Sequence, residues 1–274
     1  MKNLTWQNPE QLFVAQELIN KVKSKCCGIK GDMEEQNENL TLAFNESIDK
    51  QDIVELGQNI GDVTIDMISN SDVVSTIPIL GLLNGAYKVY KSVSAARLMK
   101  KVYFYLFQTQ KFSREEKEKF LREYASEGHD NGAEMLLDLI RRLDNGNKIT
   151  ILCNLINYRV NEDISMTDFM RLTSSLERVP ITDLRFLNNY TSENNINGVN
   201  DSLLSAGLIY ESTVNVGNTP LFRLNYSGYQ MLRYGLDNHD VNIPENFPKN
   251  IPGFITAVDV DNKLSEEEFD AGEY

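Results

Sequence analysis

The chain has 274 residues, of which 41% are hydrophobic, and its formal net charge is −13 with a sequence pI near 4.7. A chain of this length can bury a substantial core in one large or two small domains. The excess of negative charge excludes a general nucleic-acid binder, because neutralising phosphates is the main source of nonspecific affinity. The charge is uneven: residues 1–72 carry −7, residues 88–122 carry +7 and residues 237–274 carry −8.

Targeting and redox features are few. The N-terminal sequence lacks the apolar run of a secretory signal, and no run reaches the ~20 apolar residues of a membrane-spanning helix. Cys26 and Cys27 are adjacent, so the three cysteines make neither a disulfide framework nor a metal site with usable spacing. Cys153 lies among apolar residues at helical spacing and is interpreted as a small buried hydrophobe. We therefore expect a cytoplasmic protein without a metal ion or cofactor, with peripheral association at an inner membrane face left open.

Two helices are expected in the N-terminal part. The first runs from Asn8, with a proline at its first helical position, to about Gly28. The second begins near Ser47 or Asp49, and its apolar face continues to Met67. Glycines four residues apart on a helix allow close approach of a neighbouring helix. The glycines predicted to mark such packing are Gly57, Gly61, Gly81 and Gly85.

Residues 73–87 contain no charged side chain and lead into a basic, aromatic stretch. Pro78 predicts a loop or kink, and a helix is expected from about Asn84 to Gln108. Two interpretations fit this helix: a bundle core with a solvated basic face, or a surface that docks a partner protein or an anionic membrane. The candidate docking residues are Lys88, Lys91, Arg97, Lys100, Lys101, Tyr87 and Tyr90.

The next segments predict further helices with short connections. Ser113 and Glu116 form a capping box before an apolar side that includes Phe120. Apolar stripes at residues 135–143 and 149–156 each have helical spacing. Short connections between helices are typical of antiparallel neighbours, so a helical bundle is expected here.

The C-terminal third predicts helices and a β-hairpin in the order of a winged-helix module. A capped helix begins at Ser165 and ends before Pro180, and a short helix is closed by Gly207. The fold class is therefore expected to be mainly α, a helical bundle with a C-terminal winged-helix-like module that carries one β-hairpin. The other predicted elements are helices 181–190 and 227–234 and strands 208–216 and 221–224.

The domain organisation predicted from these elements has four parts. The last part is acidic and punctuated by prolines, which is typical of a poorly ordered tail. The predicted parts are N-terminal helices (1–71), a helical bundle (72–160), the winged-helix-like module (161–236) and the acidic tail (237–274).

Several segments between residues 72 and 235 resemble a family of uncharacterised bacterial proteins. The resemblance implies a fold rather than an activity, since no established reaction comes with it. The segments that carry it are the apolar entry Ile77–Gly81, the helix Lys100–Phe104, Arg114–Phe120, the stripe Leu136–Asn145 and the turn Ser205–Leu208.

A DNA-binding function is the alternative that a winged-helix module suggests. In such modules the helix before the wing enters the major groove, where basic or amide side chains contact phosphates and bases. Residues 200–206 contain no Lys or Arg and one Asp, and the hairpin combines Arg223 with Glu211. A non-enzymatic protein that docks a protein partner or an anionic membrane is therefore favoured over a transcriptional regulator, with a homo-oligomer left open.

Catalytic and metal motifs are weak. The two histidines, His129 and His239, lie in polar surroundings, and no phosphate loop, nucleophile elbow or zinc helix appears. Residues 257–268 resemble a calcium loop, with aspartates at two ligand positions and Glu268 at the last. Ala257 replaces the leading carboxylate, so a solvated acidic tail is favoured over a calcium site.

Overall fold

The computed structural model describes residues 40–48, 53, 62–90, 93–128, 131–214 and 219–244. Within these ranges the chain is mainly helical, with one two-stranded antiparallel hairpin near its C-terminal end. The chain divides into two compact units, Met1–Arg185 and Phe186–Tyr274. The predicted helix that begins at Asn8 and the calcium-loop-like segment lie outside the described residues.

The first unit is built from ten helices in the part of the chain that is described. They are α1 (40–48), α2 (Ile65–Ser69), α3 (Val73–Thr76), α4 (Pro78–Tyr90), α5 (Val93–Thr109), α6 (Arg114–Gly128), α7 (Gly132–Arg142), α8 (Asn147–Val160), α9 (Met166–Arg178) and α10 (Ile181–Leu184).

Local capping signals explain where several of these helices begin. Pro78 occupies the first position of α4, where its missing N–H and fixed φ suit the helix, and α3 ends two residues earlier. The predicted capping box at α6 is confirmed: the Glu116 amide donates to Ser113 Oγ at 3.2 Å and the Ser113 amide donates to Glu116 Oε2 at 2.7 Å. At α9 the predicted Ser165 cap is confirmed, with its hydroxyl accepting from the Asp168 amide.

Two predicted helices of the first unit are wrong in extent. The helix predicted from Asn84 to Gln108 is two helices, because α4 ends at Tyr90 and α5 begins at Val93. α4 packs against α5, which two halves of one continuous helix could not do. The helix predicted from about Ser47 to Met67 does not continue through residues 62–64, because Thr64 caps α2 by accepting from the Met67 amide.

Helix α5 is the centre of this unit. It packs against α2, α4, α7 and α8, while α6 packs on α7, α8 and α9. Its buried residues include Tyr103, which is fully buried and has its ring 5.4 Å from that of Phe104 in an edge-to-face arrangement. Burial of large aromatic rings is a major favourable term in folding. The buried residues of α5 are Ala96, Leu98, Met99, Val102, Tyr103, Phe104, Tyr105, Leu106 and Thr109.

The second unit contains the β-hairpin, and its described elements follow the predicted order. Strands β1 (Ile209–Val214) and β2 (Pro220–Leu224) pair antiparallel, with an irregularity between Glu211 and Thr213. The predicted helix 181–190 is wrong in extent, because α10 ends at Leu184 and a 3-10 helix covers Leu187–Thr191. The remaining elements are α11 (Asn200–Ser205), α12 (Tyr226–Gln230) and a π-helical turn (Met231–Gly235).

Two features shape the hairpin region. Gly207 has a φ of +73° and ends α11 as predicted, with the Leu208 amide donating to the Leu203 carbonyl at 3.0 Å. On the outer side of β2, Asn194 and Phe222 exchange two backbone hydrogen bonds of 2.8 and 3.0 Å. The outer edge of β2 is therefore partly paired.

The division between the two units differs from the predicted boundary after residue 160. Helix α9, which the predicted organisation assigns to the C-terminal module, packs on α8 and α6 in the first unit. Its apolar face explains this packing, since Phe169 stacks edge-to-face on Phe120 and Tyr124 of α6.

Candidate functional site

A cationic surface in the described part of the chain lies at the end of α4 and the start of α5. Lys88 near the end of α4 and Arg97 in the first turns of α5 are exposed, and Lys100 is half-buried. Val93, the first residue of α5, is 62% exposed. We refer to Lys88, Val93, Arg97 and Lys100 as the α4–α5 tip.

The cations of the tip lack local counter-charges. The segment from Val73 to Arg114 contains seven Lys and Arg residues and no Asp or Glu, in a chain whose net charge is −13. Within the described residues, Lys88, Arg97 and Lys100 form no ion pair with a carboxylate. Their charges are therefore available to an external anion.

The outward side of α4 next to the tip is uncharged. Leu82 is 41% exposed, Gly85 is exposed and Ala86 is half-buried, whereas Leu83 on the opposite side is buried. An exposed face of a helix in water normally carries charged or polar side chains. This uncharged face, defined by Leu82, Gly85 and Ala86, adjoins the cations of the tip.

Lys101 has a different environment from its neighbour Lys100. Its Nζ donates to the carbonyl oxygens of Ile140, Arg141 and Leu143 at 2.9, 2.9 and 2.7 Å. These carbonyls belong to the C-terminal end of α7, where the last backbone acceptors have no partner within the helix. Lys101 therefore caps α7 from α5, and its three N–H donors are used inside the unit.

The same arrangement occurs twice more. Lys117 Nζ donates to the Ile48 carbonyl at the end of α1 at 2.7 Å, and Lys148 Nζ donates to the Glu177 carbonyl near the end of α9 at 3.2 Å. Lys148 is completely buried and also forms a 2.7 Å ion pair with Asp144. Positive charge is favourable at a helix C-terminus. We refer to Lys101, Lys117 and Lys148 as the capping lysines.

The distribution of charge along the sequence does not reveal these caps, but the positions of two of the lysines do. Lys117 lies three and seven residues before Phe120 and Tyr124, on the apolar side of α6. Lys148 is followed directly by the buried Ile149. A lysine on an apolar helical face indicates an internal partner, although the sequence does not say which carbonyl it meets.

The aromatic candidates are only partly accessible. Tyr87 is half-buried, and the rings later in α5 lie in the core. Tyr90 is the last residue of α4, but its side chain and the whole of Lys91 lie outside the described residues. The described tip is therefore basic with little exposed aromatic surface.

The predicted packing glycines differ among themselves. A Cβ added to Gly81 would lie 3.2 Å from the Val74 carbonyl oxygen, so this glycine does mark a close approach of α3 to α4. A Cβ added to Gly85 would meet no described atom within 4 Å, so none of the described residues packs closely on it, and the helix-packing role of Gly85 stays a prediction. Gly57 and Gly61 lie outside the described residues.

Sequence reasoning missed the closest helix contact. A Cβ on Gly132, the first residue of α7, would lie 2.1 Å from the Leu121 carbonyl oxygen of α6. No real side chain fits that distance, so α6 and α7 can approach only at a glycine.

The described titratable residues form no catalytic arrangement. Burial raises the pKa of the Cys153 thiol well above its usual range, which keeps the sulfur protonated and unreactive at neutral pH. His239 is exposed, 3.4 Å from Asp237. No group of three or more His, Cys, Asp or Glu side chains in the described ranges is arranged to hold a metal ion.

No protein-family model, curated protein or solved structure matches the chain. None of the helices in the described ranges combines the length and the apolar character that crossing a bilayer requires.

Proposed function

We propose that this chain is a non-enzymatic protein that docks on an anionic membrane surface through the α4–α5 tip and the uncharged outward face of α4. The observation that carries the proposal is that Lys88, Arg97 and Lys100 of the tip form no ion pair with a described carboxylate, in a chain of net charge −13. An interfacial surface combines such cations with exposed apolar side chains.

The size of the exposed apolar surface favours a membrane over a protein partner. A stable protein interface takes about 800 Å² from each partner and has an apolar centre. The tip and the outward face of α4 together offer two large exposed apolar side chains, Leu82 and Val93, near the cations. Two partly inserted side chains with flanking Lys and Arg are enough for a lipid surface, where contact does not require a shaped counterpart.

The expected binding is weak and reversible. Each cation near an anionic leaflet contributes about 1 kcal/mol, so Lys88, Arg97 and Lys100 together contribute about 3 kcal/mol. Further burial of the partly exposed Leu82 and Val93 adds about 2 kcal/mol. A total of about 5 kcal/mol corresponds to an association constant of roughly 10³–10⁴ M⁻¹.

Co-sedimentation with vesicles tests the proposal. Wild-type protein is expected to sediment with phosphatidylcholine vesicles that contain phosphatidylglycerol, and not with phosphatidylcholine alone. The double change Lys88→Glu and Arg97→Glu should abolish binding, whereas Arg171→Glu, which alters an exposed arginine of α9, should leave most of it. Lys101 is left unchanged because it caps α7.

Two results would contradict membrane docking. Wild-type protein that stays in the supernatant with anionic vesicles at low salt would overturn it directly. Equal losses of binding for the tip variant and for Arg171→Glu would show that binding depends on overall charge rather than on this surface. Capture of an acidic protein without vesicle binding would assign the tip to a protein partner instead.

A DNA-binding regulator with a winged-helix-like module is the second candidate, favoured by the order of elements from α9 to α12. The described part of the second unit opposes it, since it contains two Arg and five Asp or Glu residues, a net charge of −3. Arg223 on β2 is exposed and is the residue to test. Titration of a DNA duplex at low salt is expected to be flat, and salt-dependent binding lost in Arg223→Ala would support DNA binding.

A further inference from the structure

Four asparagines in this chain are followed directly by glycine, and the structure describes all four pairs. The carboxamide carbon of an asparagine, Cγ, can be attacked by the backbone nitrogen of the next residue. Glycine carries no Cβ beside that nitrogen, so an Asn-Gly pair hinders the attack least. The surroundings of each pair then decide which of them reacts. The pairs are Asn84–Gly85, Asn131–Gly132, Asn145–Gly146 and Asn197–Gly198.

The three pairs in the first unit are held by hydrogen bonds. Asn84 is buried in α4, and its Oδ1 accepts from a serine hydroxyl of α2 at 2.8 Å. Asn131 Oδ1 accepts from the backbone amide two residues later at 3.0 Å, and Asn145 Oδ1 does the same at 2.8 Å. In each pair the carboxamide must leave its donor before Cγ can meet the next nitrogen, which requires the local fold to open.

The fourth pair, in the second unit, is not held in this way. Asn197 and Gly198 are both exposed in the turn before α11. Among the described residues, neither the Asn197 carboxamide nor the Gly198 amide has a hydrogen-bond partner. The φ of Gly198 is +80°, a conformation in which a side chain is strained, so this turn requires a glycine at the attacking position.

We propose that Asn197 is a site of spontaneous deamidation, which converts it to aspartate or isoaspartate through a cyclic imide with Gly198. The Gly198 nitrogen bonds to Asn197 Cγ while the bond from Cγ to Nδ2 breaks, and the amide proton leaves with Nδ2 as ammonia. Water then opens the imide. Opening at Cγ gives aspartate, whereas opening at the main-chain carbonyl carbon gives isoaspartate. Water is the only co-reactant.

The isoaspartate product changes the turn itself, because its main chain runs through Cγ and is longer by one carbon. The Ile196 carbonyl accepts from the amides of Val199 and Asn200 at 3.0 and 3.2 Å, so both hydrogen bonds span the modified residue. We expect isoaspartate to weaken both bonds and with them the start of α11. Aspartate leaves the main chain unchanged and should retain them.

Deamidation rates at the four pairs test the assignment. The full chain is incubated at mildly alkaline pH, and peptide mass spectrometry follows the replacement of the NH2 group by OH at each asparagine. In the native protein Asn197 should react at least about tenfold faster than the other three, which react only after local opening. In guanidinium chloride the four rates should agree within about threefold, because the restraining contacts are lost.

A variant and its matched control locate the isoaspartate. Methyl transfer from labelled S-adenosylmethionine by an isoaspartate methyltransferase measures this product. Asn197→Gln, whose longer side chain would have to close a larger ring, should lose most of the signal from the native protein. Asn145→Gln, which changes a pair held in the first unit, should retain it.

Hydrogen exchange measures the effect on the turn. The amides of Val199 and Asn200 should exchange faster in the isoaspartate fraction of aged protein than in fresh protein. Asn197→Asp has the same charge as the product but an unaltered main chain, so its exchange should match that of fresh protein.

Several results would overturn the proposal. A native rate at Asn197 no faster than at the other three asparagines would contradict it directly. An order of rates that is unchanged in guanidinium chloride would show that the fold does not select the site. A wild-type isoaspartate signal in Asn197→Gln would place the product at another residue. Unaltered exchange in the isoaspartate fraction would overturn the effect on the turn.

Discussion

Two groups of cations in the first unit differ in what surrounds their charged ends. The capping lysines place their ammonium groups on the carbonyl ends of α1, α7 and α9. In the tip, Lys88 and Arg97 are exposed and Lys100 is half-buried, and none of the three has a carboxylate partner in the described part of the chain. Lys100 and Lys101 are neighbours in sequence and yet belong to different groups.

The difference shows that a count of charges along the sequence mixes two kinds of residue. A lysine whose protons are held by backbone carbonyls contributes to folding, and changing it alters stability. A lysine in solvent contributes little to stability, and its charge acts on external partners. The basic segment is therefore a structural core element and a candidate binding surface at the same time.

Thiol accessibility should show the largest contrast between the interior and the tip. With Cys26 and Cys27 changed to Ser, native Cys153 should react with a thiol reagent at least about a thousandfold more slowly than an added cysteine at position 93, Val93→Cys. Cys153 is buried in α8, whereas Val93 is exposed. Reaction rates measured with a chromogenic disulfide would contradict the described core if both cysteines reacted alike.

The pH dependence of the same reaction sharpens the contrast. The thiolate is the reactive form, so an exposed cysteine should react faster as the pH rises toward its ordinary pKa of about 8.5. Burial raises the pKa of Cys153, so its thiol remains protonated throughout that range. Its rate should follow the opening of the fold rather than the ionisation of an exposed thiol.

Substituting Lys100 and Lys101 one at a time should distinguish the lysine that stabilises the fold from the lysine that is available for binding. Lys101→Met leaves three carbonyl groups at the end of α7 without their donor and should lower the free energy of unfolding by about 2–3 kcal/mol. Lys100→Met removes a charge with no carboxylate partner in the described chain and should change it by less than about 0.5 kcal/mol. Urea unfolding followed by circular dichroism measures both. Equal effects would remove the distinction between the two groups.

Gly132 and Gly85 provide a second comparison of stability, in which no charge is changed. Gly132→Ala forces a Cβ against the Leu121 carbonyl and should lower the free energy of unfolding by about 1–3 kcal/mol. Gly85→Ala places a Cβ more than 4 Å from any described atom, within a helix, and should raise it by up to about 1 kcal/mol. The same unfolding experiment reports both values, and a destabilising Gly85→Ala would indicate a neighbour on the outward face of α4.

The smallest effect is expected from the apolar side chains near the tip. Leu82→Ser and Val93→Ser should each weaken vesicle binding about threefold to tenfold, since each removes about 1 kcal/mol of insertion. Both residues are substantially exposed, so stability should be nearly unchanged. Vesicle binding that is indifferent to both changes would reduce the membrane contact to charge alone.

The sequence predicts the features that depend on neighbouring residues. The caps at Ser113 and Ser165 and the stop at Gly207 are confirmed, because each acts within a few residues, whereas the helix expected from about Asn84 begins earlier, at Pro78. The mainly helical class and the hairpin follow from the apolar spacing for the same reason.

The features missed from the sequence depend on distant partners or on a break without a local signal. Lys101 caps carbonyls 39 to 42 residues away, which no local pattern reveals. In the sequence, Lys91 and Ser92 separate the residues of α4 from those of α5, and neither is the glycine or proline that normally marks a turn between two helices. Uninterrupted apolar spacing across these two residues therefore predicted one long helix.

The backbone bridge between Asn194 and Phe222 bears on how this protein behaves when concentrated. This bridge occupies part of the outer edge of β2. A strand from another molecule would therefore have to pair with β1. The irregular pairing near Glu211 and the exposed carboxylate of that residue both hinder such edge-to-edge strand pairing. Neutralising Glu211 should consequently promote self-association of the purified protein, so this residue is best left unchanged in engineered variants.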